Sequence, residues 1–179
     1  MALGNPAINN LFLIGYRGTG KSTVARILAD KLGWSWIDAD ARLEECWGRS
    51  IRQIFEEEGE AGFRQKEAAI LEELCRSREH VIATGGGVVL SAANRQRLRT
   101  AGRVVWLTAD AVVLWHRLQA DATTRERRPP LAGGGLAEIQ KLLEVRRPLY
   151  QECTDLVVDT THRSIDAVAN EILERLRSA

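Results

Sequence analysis

NNLFLIGYRGTGKSTV, residues 9–24, decides the fold. A short apolar run, Leu11–Ile14, passes into Gly15-Tyr16-Arg17-Gly18-Thr19-Gly20-Lys21-Ser22, and an apolar-periodic segment follows at once. This is G-x-x-x-x-G-K-[ST] between a predicted strand and a predicted helix, the context that gives the pattern a physical meaning. Glycines at 15, 18 and 20 let the backbone curl around an anion, so that successive N–H groups and the helix N-terminus point at phosphate oxygens. Lys21 can then reach the β- and γ-phosphates, and the Ser22 hydroxyl can ligate Mg²⁺. A Gly-rich surface turn rarely combines three spaced glycines with Lys-Ser at a helix start.

Outward from this loop the chain alternates strands and helices. Strands are predicted at 11–14, 35–37, 80–84, 103–107 and 156–158. Helices are predicted at 23–32, with Gly33 closing it, at 41–47, 51–58, 60–78, 92–101 and 111–120, in a stretch running to Tyr150, and in a final amphipathic segment carrying Ile165, Val168, Ile172 and Leu176. Ser50 with Gln53 three residues on is a capping-box pattern for the third of these. Residues 121–136 break the rhythm with arginines, Pro129-Pro130 and Gly133-Gly134-Gly135, and read as a mobile loop. The alternation predicts an α/β fold, a parallel sheet with helices on both sides.

Composition agrees. A chain of 179 residues suits one domain, 1–179, with a core that needs no staples. A net charge of +1 gives no general basic field for nucleic acid or anionic membrane. Cys46, Cys75 and Cys153 are widely spaced and odd in number, which suggests neither a disulfide framework nor a zinc site and fits a reducing cytoplasm. No signal-like N-terminus or membrane-length apolar run occurs, and no heptads appear, so a soluble monomer is expected. The histidines fall on different predicted elements, and the five tryptophans read as packing residues.

In open parallel sheets, ligands sit beyond the carboxyl ends of the strands. The phosphate loop, Asp38-Ala39-Asp40 and Gly85-Gly86-Gly87 follow the first three predicted strands and should share that edge. One acid of the pair can serve near a metal and the other can orient an attacking hydroxyl, although Asp40 could equally cap the helix that follows. The glycine triplet can bring backbone N–H groups close to a small ligand, or can simply be a permissive turn. Arg64, Arg117, Arg128 and Arg146 are candidate anion-binding groups among which composition cannot choose.

The ordered set of phosphate loop, Asp38-x-Asp40, Phe63-Arg64 with Glu67, Gly85–Gly87, Arg128-Pro129 and Arg146-x-Pro148-Leu149-Tyr150 resembles the shikimate kinase family across nearly the whole chain. The resemblance implies a three-layer α/β/α sandwich with a five-stranded parallel sheet of order 2-3-1-4-5, a substrate-binding helical region at about 39–67 and a lid at about 121–136. It implies phosphorylation of the 3-hydroxyl of shikimate by ATP with Mg²⁺, on the route to chorismate and the aromatic amino acids. Lys21, Asp40 and Arg128 would be catalytic. Gly18, Thr19, Gly20, Lys21, Ser22 and Thr23, with Arg117, Arg128 and Arg163, would bind the nucleotide. Ser22 and Asp38 would hold the metal. Asp40, Arg64, Arg146 and the Gly85, Gly86 and Gly87 backbone would bind shikimate, the two guanidinium forks suiting its planar carboxylate. Arg125 and Arg127 compete with Arg128 for the lid position, and Pro129-Pro130-Leu131 favours Arg128. The segment 158–165 lacks the proline that the family commonly has beside adenine. Another small-molecule or nucleoside-monophosphate kinase, and a non-enzymatic nucleotide switch, are the alternatives; no N-K-x-D segment supports a GTPase.

Overall fold

The structure is a computed structural model, and it describes residues 9–121 and 135–178. Its centre is β1, Asn10–Ile14, buried at every residue. β1 pairs in parallel with β3 (His80–Ala83) on one side and β4 (Arg103–Thr108) on the other, Phe12 standing opposite Ile82 and Val104. β2 (Ser35–Asp38) and β5 (Leu156–Asp159) complete the sheet in the order β2-β3-β1-β4-β5. This is the order implied by the family resemblance.

Side-chain alternation along the strands supplies two faces. Leu11, Leu13, Val81, Val105 and Leu107 pack against α1 (Lys21–Leu32) and the last helix, α7 (Ile165–Arg177). Phe12, Ile14, Ile82, Val104 and Trp106 pack against α2 (Ala39–Trp47), α3 (Ile51–Leu74), α4 (Ala92–Ala101) and the end of α6 (Leu136–Cys153). Tyr16 forms a third apolar group with Leu114 of α5 (Ala111–Ala120) and Ile139 of α6. Each fully buried Leu, Ile or Phe contributes roughly 1.5–3 kcal/mol by leaving water, so two-sided burial of β1 makes the sheet a rigid base for the loops at its carboxyl edge.

Several boundaries differ from the sequence reading. α1 begins at Lys21, because Gly20 in the left-handed conformation (φ 87°) already serves as its N-cap. α2 begins at Ala39, because Asp38 rather than Asp40 is its cap: Asp38 Oδ1 accepts from the N–H groups of Asp40 and Ala41 at 3.0 and 3.1 Å. The two helices expected at 51–58 and 60–78 are one element interrupted at Gly59 (φ 68°, ψ −172°), and it ends at Leu74. The capping box of Ser50 and Gln53 is present. α6 runs through Pro148 to Cys153 instead of stopping near Tyr150.

Candidate active site

The phosphate loop begins where β1 ends, and steric closeness explains its glycines. Gly15 has φ 140°, and a side chain there would run into the Leu107 carbonyl oxygen of β4. Gly18 (φ 81°) and Gly20 (φ 87°) sit in the left-handed region that only glycine enters at little cost. Thr19 is buried and turns its hydroxyl inward, donating to the Tyr16 carbonyl at 2.8 Å. Lys21 Nζ donates to the carbonyls of Gly15 and Tyr16, each at 2.9 Å, so the ammonium spans the mouth of the loop. Side chains of Asp38, Ser50, Ser91 and Ser164 cap α2, α3, α4 and α7. α1 has no side-chain cap. Its first-turn N–H groups and the positive end of its dipole therefore face the loop without a protein acceptor from the N-cap side chain, as an anion site requires.

A cavity of about 460 Å³ opens above this loop. Gly18, Gly20, Lys21, Ser22 and Thr23 form one wall, Asp38 and Asp40 a second, Thr84 and Gly86 a third, and Arg17, Arg117, Leu118 and Asp121 the remainder. The volume is in the usual range for small-molecule sites. Ser22 Oγ donates to Asp38 Oδ2 at 2.5 Å, which ties the start of α1 to the start of α2. Asp38 thus uses one oxygen to cap a helix and turns the other toward the loop. Asp40, one residue into α2, borders both this cavity and a small recess lined by Glu67, Thr84 and Gly85.

The arginines separate clearly. Arg117 donates from Nη1 to the Gly18 carbonyl at 3.2 Å and to Thr160 Oγ1 at 3.0 Å, and from Nη2 to the Thr160 carbonyl at 2.8 Å, bridging the phosphate loop to the segment after β5. Arg163 does not line the cavity. Its guanidinium is ion-paired to Glu171 and donates to the carbonyls of Asp159 and Ala167. That pairing also holds the Glu171 carboxyl below its ordinary range.

Arg64 and Arg146 reach the glycine triplet from opposite sides of the chain order. A side chain on Gly87 would collide with the Arg64 guanidinium, so the absence of a Cβ at 87 is what lets the arginine lie against the backbone. Arg64 Nη1 donates to Glu67 Oε2 at 2.8 Å, while Nε and Nη2 make longer contacts of 3.4 and 3.2 Å to Glu60 Oε1. Burial works to lower the Arg64 guanidinium, and Glu67 followed by Glu60 overcomes it, leaving its pKa raised. Arg146 is buried, with Nη1 donating to the Gly86 carbonyl at 3.3 Å and its guanidinium 5.9 Å from the centroid of the Tyr16 ring.

Gly86 itself borders the cavity that holds Lys21 and Asp40. Arg64 and Arg146 do not themselves line that cavity; they reach the triplet beside it, Arg64 against Gly87 and Arg146 at the Gly86 carbonyl. Arg128, with Arg125 and Arg127, lies outside the described residues. Sequence reasoning missed Arg17, Thr84 and Asp121. Arg17 occupies a position that the phosphate-loop pattern leaves unrestricted, while Thr84 reads as the last residue of a strand. Among the described residues no cluster of three His, Cys, Asp or Glu side chains is arranged to hold a metal ion, and no helix is long and apolar enough to cross a membrane.

Comparison with known proteins shows the family. The family model for shikimate kinase matches residues 17–177. A shikimate kinase of Rhodopirellula baltica is 45% identical over 171 residues, covering 95% of this chain and 91% of its own length. A shikimate kinase of Pseudomonas paraeruginosa is 46% identical over 169 residues, covering 94% and 96%. The structure of an Acinetobacter baumannii shikimate kinase in complex with shikimate superposes with a TM-score of 0.89 at 36% identity, covering 96% of this chain and 94% of that one. With the phosphate loop, the acid pair and the glycine triplet meeting at one cavity, and with these matches spanning nearly the whole chain, the protein belongs to the shikimate kinase family.

Proposed function

We propose that the cavity above β1, β2 and β3 is where this chain transfers the γ-phosphoryl group of ATP to the 3-hydroxyl of shikimate. One observation carries the assignment. Lys21, Asp38, Asp40 and Gly86 border a single space, and the Gly86 wall is the backbone against which Arg146 rests.

Backbone N–H groups of the loop and of the first turn of α1 receive the phosphates, and Lys21 leaves the Gly15 and Tyr16 carbonyls to meet the β- and γ-phosphate oxygens. Thr23 and Arg117 border the nucleotide side of the cavity, and the Arg117 bridge to Thr160 keeps that wall in place. Ser22 Oγ and the Asp38 carboxylate are hard oxygen donors already within hydrogen-bond distance of each other, so they fit Mg²⁺ beside a nucleotide. Ser22 and Asp38 would hold that ion, which would supply positive charge to offset that of the nucleotide phosphates.

Asp40 orients the acceptor hydroxyl and takes its proton as the oxygen–phosphorus bond forms. Arg64 and Arg146 hold the acceptor carboxylate, their planar forks favouring a carboxylate over a neutral sugar. In a loose, metaphosphate-like transfer, positioning and charge stabilisation do most of the work, so Asp40 need not be a strong base. We further propose a cytoplasmic monomer; Cys46, Cys75 and Cys153 are all free thiols, which suits a reducing compartment.

The test is ADP release with ATP and Mg²⁺, with and without shikimate. Shikimate should stimulate it strongly in the natural chain. Asp40→Ala should lower kcat by roughly 10²–10⁴-fold while ATP binding and folding persist. Undiminished turnover in that variant would remove Asp40 from the mechanism.

A further inference from the structure

The Arg146-x-Pro148-Leu149-Tyr150 segment contains a second side chain that meets the glycine triplet. Tyr150, one helical turn beyond Arg146, is buried and donates its hydroxyl to the Gly86 carbonyl at 2.6 Å. Its ring stacks on Trp106 of β4, with centroids 5.2 Å apart and planes 19° from parallel, which fixes where the hydroxyl can be. The same carbonyl accepts from Arg146 Nη1 at the longer distance of 3.3 Å. Gly86 is also pressed against the phosphate loop, since a Cβ there would lie 3.3 Å from the Arg17 nitrogen and 3.4 Å from the Gly15 oxygen. One peptide group therefore joins the cavity wall, the phosphate loop and α6.

We infer that Tyr150 is a positioning residue for the acceptor site: by holding the Gly86 carbonyl it leaves the Arg146 guanidinium available to the acceptor carboxylate and keeps the triplet's backbone turned toward α6. This rests on the reading of Arg146 as a carboxylate-binding group. A buried carbonyl must be hydrogen-bonded, and with the phenol in place the short bond is Tyr150's and the weak one Arg146's. Without the phenol, Arg146 is the remaining side-chain donor to that carbonyl among the described residues. The guanidinium would then be drawn onto the protein's own backbone, in competition with the ligand. Burial is the largest influence on the Tyr150 phenol and pushes its pKa above the ordinary value, against the opposing pull of Arg146, so it remains a proton donor throughout the working range.

Tyr150→Phe tests this, because it removes one oxygen and keeps the ring on Trp106. In the full chain with ATP and Mg²⁺, KM for shikimate should rise about tenfold, the order expected when one buried hydrogen bond is lost. KM for ATP should change less than about twofold, and the melting temperature by no more than a few degrees. The methyl ester of shikimate, which has no carboxylate charge for Arg146 to grip, should be used with the same KM by both forms. A purely structural tyrosine would not discriminate between these acceptors. An unchanged KM for shikimate, or equal rises for shikimate, its ester and ATP, would overturn the inference. Arg146→Lys separates the layers. If it leaves KM for shikimate unchanged, the carboxylate reading of Arg146 fails and this inference fails with it. If it raises KM while Tyr150→Phe does not, only the role given to Tyr150 fails. In the double variant, Tyr150→Phe should add less than about twofold to the effect of Arg146→Lys, because both act on one contact.

Discussion

The proposed nucleotide end and the proposed acceptor end of the site are made of different materials. The nucleotide end is almost entirely main chain from one short run, Gly15 to Thr23, shaped by positive φ angles at Gly15, Gly18 and Gly20 and braced by Lys21 on the loop's own carbonyls. The proposed acceptor end would be assembled from Asp40 on α2, Arg64 on α3, the triplet after β3 and Arg146 on α6, and each arginine is held by a group from elsewhere or from an adjacent turn. A surface of backbone is dictated by local sequence and fails when something is added to it. A surface of long side chains is dictated by packing and fails when a charge partner or a fork is removed.

The largest effect should come from adding one methyl group to the backbone surface. Gly15→Ala puts a Cβ into the Leu107 carbonyl of β4 at a φ of 140°, one residue beyond the last β1–β4 pair, Ile14 with Trp106. Overpacking together with backbone strain costs about 3 kcal/mol or more. Urea unfolding should show that loss, with ATP binding weakened in what remains folded. If this variant were as stable as the natural chain, the loop would not be held by steric exclusion and the contrast would collapse.

Next in size is Arg64→Lys. The guanidinium serves Glu67 with one nitrogen and Glu60 with two others while lying flat against Gly87, and an ammonium cannot reproduce that fork. KM for shikimate should rise about ten- to thirtyfold, or roughly 1.4–2 kcal/mol, with KM for ATP unmoved. Equal effects on both substrates would mean that the two ends are not separable.

The same division governs what could be read from the sequence. The unbroken apolar run Leu11–Ile14 announced a buried strand, and the phosphate loop announced its own backbone path, because both signals are local. The sequence offered Asp40 as the cap of α2; geometry gives that role to Asp38, and Asp40, inside the first turn, borders the cavity. Nothing local distinguished Arg64 or Arg146 from the other arginines. Their meeting at Gly86 and Gly87 depends on α3 and α6 packing against the same face of the sheet, and only the family resemblance pointed to them beforehand. Arg163 does not join the lining; its guanidinium is ion-paired to Glu171 on the next helix.

The smallest effect sharpens the comparison most, because it asks which partner of Arg64 matters. Glu67 and Glu60 lie on the same helix three residues after and four before the arginine, and a sequence argument would rate them alike. The structure does not: the Glu67 side chain is 7% exposed and meets Nη1 at 2.8 Å, whereas Glu60 is 57% exposed and meets Nη2 at 3.2 Å. Removing the charge of a largely buried partner strands a half-buried cation, so Glu67→Gln should cost about 1–2 kcal/mol of stability and raise KM for shikimate several-fold. Glu60→Gln removes a solvent-screened contact worth less than about 0.5 kcal/mol. It should leave the melting temperature within about a degree or two, and KM for shikimate unchanged or slightly lower, since the exposed carboxylate competes for the same guanidinium. If Glu60→Gln proved as damaging as Glu67→Gln, the arginine would be positioned from its exposed side, and the acceptor end would owe its order to surface charge rather than to burial.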